Sequence, residues 1–169
     1  MCIRDRCQAL DGLHEALREP STGLSLITRR DLRTHNSWTH NLDEFVGPRR
    51  RTNLLYMNPS DAAARNLSDG DLVDVTSATN CVRLPLSLLS DLMPGVVALP
   101  HGWGHQGANG LSVASATEGV NVNLLAADGP DQVCPLSGMA RLTGIPVEVA
   151  AAAGPKDMRT WSGLAEASS

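Results

Sequence analysis

The chain has 169 residues, of which 42% are hydrophobic and 3% aromatic, with 14 Lys and Arg against 18 Asp and Glu for a net charge of -4. This length suits one compact domain of the usual size, about 100–150 residues, and the apolar content argues against wholesale disorder. No stretch approaches the ~18 uninterrupted apolar residues of a membrane-spanning helix. The acidic balance makes the chain a poor general nucleic-acid binder, because such binding rests on basic surface.

Met1-Cys2-Ile3-Arg4-Asp5-Arg6 has no apolar core and no cleavage site, so it is not a secretory signal. It resembles translated sequencing adaptor, and the expectation is a fragment whose true N-terminus is missing, with a cytoplasmic location favoured. Leu10, Leu13, Ala16 and Leu17 recur at helical spacing within residues 8–18, ahead of the breaker Glu19-Pro20-Ser21-Thr22-Gly23. Residues 1–23 therefore read as that hexapeptide, the tail of a preceding domain and a linker. Residues 24–150 form the domain proper, and residues 151–169 a C-terminal tail that ends polar and small. Cys2, Cys7, Cys81 and Cys134 are widely spaced. Without a Cys-x-x-Cys pair they encode neither a zinc knuckle nor an iron–sulfur run, and Cys81 and Cys134 are expected as small buried hydrophobes.

From Leu24 onward the pattern is short strands separated by turns. Strands are predicted at 24–28, 54–57, 72–76, 81–86, 96–99 and 146–149. Asn58, Pro59 and Asp61 have the chemistry of a helix start, which predicts a short helix through Asn66. Leu72 to Thr76 alternates apolar and polar residues, as a half-buried strand does. Val96-Val97-Ala98-Leu99 is continuously apolar and suits a strand buried on both faces. Six short strands with one or two small helices predict a mainly β domain closed into a small barrel.

Four polar clusters lie beside strand ends. Thr28-Arg29-Arg30 with Asn36-Ser37-Trp38-Thr39-His40-Asn41 offers guanidinium, amide, hydroxyl and indole donors, chemistry suited to a phosphate-bearing heterocycle. Taken alone it equally fits a polar surface loop. Pro100-His101-Gly102-Trp103-Gly104-His105 follows the apolar strand, and its glycines would let backbone approach a ligand closely. A zinc role for His101 and His105 is disfavoured, since Gly-Trp-Gly does not hold a helical i, i+4 pair. Gly119-Val120-Asn121-Val122-Asn123 offers amide edges that suit a pterin or guanine, or simple Asx turns. Pro135-Leu136-Ser137-Gly138 is a candidate helix start, and Arg49-Arg50-Arg51 reads as a solvated loop with a phosphate contact as the alternative. No catalytic acid or base is assigned, because no Ser–His–Asp order or carboxylate pair has a defensible geometry.

In order, these segments resemble a known family. Arg-Arg-Asp-Leu-Arg…Asn-Ser-Trp-x-His-Asn at 29–41, Asn-Pro-Ser-Asp-Ala at 58–62, Asp-Gly-Asp-x-Val-x-Val at 69–75, Pro-Gly-Val-Val at 94–97, Pro-His-Gly-Trp-Gly-His at 100–105, Gly-Val-Asn-x-Asn at 119–123 and Leu-Ser-Gly at 136–138 are similar to the C-terminal molybdopterin dinucleotide-binding domain of the dimethyl sulfoxide reductase family. The resemblance covers residues 24–150 and implies a six-stranded double-psi β-barrel. It also implies bis-molybdopterin guanine dinucleotide holding molybdenum or tungsten, in an oxidoreductase of the formate dehydrogenase or nitrate reductase type. An iron–sulfur cluster and the protein ligand to the metal would then belong to upstream domains of the same enzyme, and this fragment alone would have no redox activity. Arg30, Asn36, Ser37 and Trp38 would lie along the cofactor from a first loop, His101, Gly102 and Trp103 from a second, and Asn121 and Asn123 from a third. Arg29 stands where the commoner form of the first motif has glycine. The alternatives are a free-standing barrel enzyme or recognition module, or a metal hydrolase using His35, His40, His101 and His105.

Overall fold

The structure, a computed structural model, describes residues 23–32, 34–46, 51–134 and 137–153, together with residues 7, 10 and 14. The helical reading of 8–18, the linker at 20–22, Arg49, Arg50, Pro135, Leu136 and the tail from 154 fall outside these, apart from residues 10 and 14. Six strands form: β1 (Leu24–Arg29), β2 (Leu55–Met57), β3 (Leu72–Thr76), β4 (Cys81–Leu88), β5 (Val96–Pro100) and β6 (Ile145–Ala151). They close in the order β1-β5-β2-β4-β3-β6, with β6 returning to β1. The β1·β5 and β2·β4 pairs are parallel and the remaining pairs antiparallel, which makes the domain a double-psi β-barrel.

Side-chain alternation decides what fills the barrel. Leu24 and Leu26, Val73 and Val75, and Val82, Leu84 and Leu86 point inward from their strands and are almost wholly buried. Val97 and Leu99 meet Leu55 and Met57 in the same core. On β5 the intervening Ala98 is buried as well, because that strand lies between β1 and β2 with loops covering its outer face. Val96, at the strand's start, is only half-buried. Cys81 and Cys134 are also half-buried rather than in the core. Outside the barrel, Asp74 and Arg83 stand opposite each other in the β3·β4 register, and the carboxylate accepts two guanidinium hydrogen bonds of 2.6 and 2.8 Å.

Two short helices decorate the barrel, α1 (Asp43–Val46) and α2 (Pro59–Ala63). The Asn58 side chain caps α2 by accepting the Ser60 N–H at 2.9 Å. Asp61 accepts the Gly95 N–H at 2.7 Å, which ties α2 to the turn that opens β5. The helix is shorter than predicted, ending before a turn whose last residue, Asn66, is left-handed. The predicted helix start near 135 is replaced by a single turn. The Gly138 N–H bonds the Cys134 carbonyl at 2.8 Å, and Gly138 then takes a left-handed φ of 69° that stops propagation.

Candidate functional site

Parallel pairing sets the site. Because β1 and β5 run the same way, the loops that follow them leave the same end of the barrel, and the His101 N–H bonds the Arg29 carbonyl at 3.0 Å as they part. β2 runs antiparallel to β5, so the residues just before β2 arrive at that same end. There Asn53, 2% exposed, joins two segments remote in sequence. Its amide donates to the Pro100 and Val120 carbonyls, both at 3.0 Å, and its oxygen accepts the Val120 N–H at 2.9 Å. Asn53 thereby fixes where the second and third loops begin.

The three loops enclose a groove of about 520 Å³. Arg30, Asn36 and Ser37 line it from the first loop, His101, Gly102, Trp103 and His105 from the second, and Asn121 and Asn123 from the third, with Thr28 and Leu142 completing it. None of these residues is acidic. Eight of the nine sequence-derived residues therefore converge. Trp38 does not: it is 83% exposed and is not part of the groove. His35, Asn36 and Ser37 have positive φ values of 40°, 58° and 95°. That turn delivers Asn36 and Ser37 to the groove and carries the chain past it before Trp38.

The glycines of the second loop have a role different from the expected one. A Cβ on Gly102 would stand 3.0 Å from the Ser37 nitrogen, and one on Gly104 would stand 2.7 Å from the Asn121 nitrogen. Both have φ near +90°. They permit loop backbones to touch one another rather than a ligand alone. Gly119 lies against the Trp103 ring with no room for a side chain. The Gln106 side chain donates to the Gly119 carbonyl at 2.6 Å, and the Asn41 oxygen accepts the Val113 and Ala114 N–H groups at 3.0 and 3.2 Å. Asn121 is an N-cap, accepting the Asn123 N–H at 3.0 Å, so its turn-forming role is realised within the groove wall.

The remaining motif residues lie apart. Arg29 projects away from the groove and rests on Tyr56, its guanidinium carbon 4.7 Å from the ring centroid, a cation–π contact that glycine would lack. Arg51, Ser137 and Gly138 are exposed and outside the groove. Among the described residues no three His, Cys, Asp or Glu side chains are grouped so as to hold a metal ion, which leaves the metal-hydrolase alternative without a ligand set there.

Residues 24–146 match the family model described as the molydopterin dinucleotide binding domain. The chain belongs to this family. Within the domain, 54 residues are 41% identical to a tetrathionate reductase subunit from Salmonella typhimurium, covering 32% of the chain and 5% of that protein. A stretch of 82 residues is 30% identical to the molybdopterin-containing subunit of the arsenate respiratory reductase of Chrysiogenes arsenatis, covering 48% of the chain and 10% of the relative. Among solved structures, acetylene hydratase from Pelobacter acetylenicus superposes with a TM-score of 0.64 at 19% identity, over 77% of the chain and 18% of that structure, a likeness of fold. The chain spans at most about a fifth of the length of these relatives. No helix among the described residues is long and apolar enough to cross a membrane.

Sequence reading missed Asn53, Thr28's place in the groove and Leu142. Asn53 carries no local signal, since its partners lie 47 and 67 residues away.

Proposed function

We propose that the three-loop groove holds molybdopterin guanine dinucleotide, as one part of a larger molybdenum or tungsten oxidoreductase of the formate dehydrogenase or nitrate reductase type. The observation that carries this reading is the groove's lining: in an acidic chain it contains an arginine, two histidines and neutral amides, and no carboxylate. That donor set fits a ligand with a pyrophosphate and amide-edged heterocycles. Arg30 would fork onto phosphate oxygens. Asn36, Ser37 and Asn123 would supply hydrogen bonds, and Asn121, with its oxygen engaged in the cap, would present its N–H2 group. Trp103 supplies an apolar wall. When bound, the cofactor supplies the two-electron redox chemistry, while these residues bind and orient it. The iron–sulfur cluster and the ligand to the metal belong, on this reading, to domains that precede this one.

The test is cofactor retention in the intact enzyme. Arg30→Ala removes a charge-assisted contact of about 1.5–3 kcal/mol, roughly a tenfold to hundredfold loss in affinity. Molybdenum and released guanine nucleotide per protein should fall, with an effect that shrinks at high salt. Full cofactor content in Arg30→Ala, with loss in Arg51→Ala instead, would place the phosphate contact outside the groove.

A further inference from the structure

Among the described residues, His40 is the one titratable side chain in the fully buried set, at 1% exposure. Neither of its ring nitrogens has a hydrogen-bond partner, and both are sealed from solvent, as is Nε1 of Trp103. Polar atoms are rarely left so. His40 belongs to the first loop, yet its ring packs on the second: edge-to-face on Trp103 at 4.4 Å between centroids and on His105 at 5.2 Å. Both neighbours line the groove. The His105 Nε2 lies 2.8 Å from the Gly102 carbonyl. A carbonyl only accepts, so that nitrogen carries the hydrogen and the His105 ring is fixed from its other side. The charged and titratable groups facing His40 are His105 from the second loop and Asp31 from the first. Burial, reinforced by His105 and opposed by Asp31, holds the His40 pKa down at about 4, so the ring is neutral at ordinary pH.

We propose that His40 is a positioning residue, an uncharged ring that pins the first loop to the second and holds Trp103 and His105 as the groove wall, and that protonation releases this pin. The proposal rests on the groove being the cofactor site for its functional meaning, but not for its geometry. A cation between an indole edge and a second histidine, with no hydrogen-bond acceptor at either nitrogen, has no stable place there. Phenylalanine would pin without being releasable.

The experiment uses the 169-residue chain with Trp38→Phe and Trp161→Phe, which leaves Trp103 as its one tryptophan. Emission and acrylamide quenching are followed from pH 8 downward, with far-UV circular dichroism in parallel. In the parent, Trp103 should stay shielded at neutral pH and become quenchable in one acid step near the His40 pKa of about 4. In His40→Phe it should stay shielded throughout, and in His40→Ala quenching should rise several-fold already at pH 8. The same acid step in His40→Phe, an exposed Trp103 in that variant at pH 8, a shielded Trp103 in His40→Ala, or a parent step that coincides with loss of strand signal would overturn the pin. Expected quenching from a chain whose intact enzyme carries no pterin would leave the pin standing and remove the cofactor reading instead.

Discussion

Removing the Asn53 side chain should loosen the groove and the barrel end together. In Asn53→Ala the Pro100 carbonyl, the Val120 carbonyl and the Val120 N–H all lose their Asn53 partner. At about 1–1.5 kcal/mol for each lost bond in a site with little access to water, the deficit is about 3–4 kcal/mol, a large part of the 5–15 kcal/mol typical of a whole domain. Asn53→Asp sharpens the test. Its carboxylate can still accept the Val120 N–H, but it sets a negative oxygen where an N–H2 group met two carbonyls. The folded state would therefore hold that carboxyl protonated, raising its pKa above the ordinary ~3.9. A raised acid pKa means stability that is full below the unfolded value and is lost as pH rises through the folded one. Urea melts of parent, Asn53→Ala and Asn53→Asp at pH 7.5 and pH 5 check this. Asn53→Asp should be the weakest at pH 7.5 and recover toward Asn53→Ala at pH 5. An Asn53→Ala variant as stable as the parent, or an Asn53→Asp deficit indifferent to pH, would refute the clamp.

Three further outcomes are expected. Val97→Asp should cost several kcal/mol, since Val97 is 0% exposed and an unpaired carboxylate would enter the barrel; chemical denaturation checks it. Gly104→Ala should destabilise by more than the ~1 kcal/mol of a simple left-handed penalty, because its Cβ would also press 2.7 Å from the Asn121 nitrogen; Gly107→Ala, with open space around it, serves as the comparison in thermal melts. Below pH 6.5 the unfolded chain protonates His40 while the folded one refuses the proton until about 4, so stability should fall with pH across that window by up to about 1.4 kcal/mol per unit. His40→Phe should remove that slope from pH-dependent melts.

The strands were legible because a barrel wall imposes a period of two on any chain that builds it. Val73 and Val75, or Leu84 and Leu86, announce an inner face wherever they are read. The order and spacing of the polar segments also anticipated eight of the nine groove residues, because those segments sit where strands end. The sequence by itself thus determined the element order, the core and the family. What tertiary structure alone decided is how the loops meet. Parallel pairing of β1 with β5 brings residues 30–37 beside residues 101–105, and a single amide at Asn53 aligns Pro100 with Val120. Burial of His40, exposure of Trp38 and the use of Gly102 and Gly104 against neighbouring backbones follow from those contacts. Each depends on atoms tens of residues apart coming within hydrogen-bonding or van der Waals distance. No local pattern of residue types encodes such a distance.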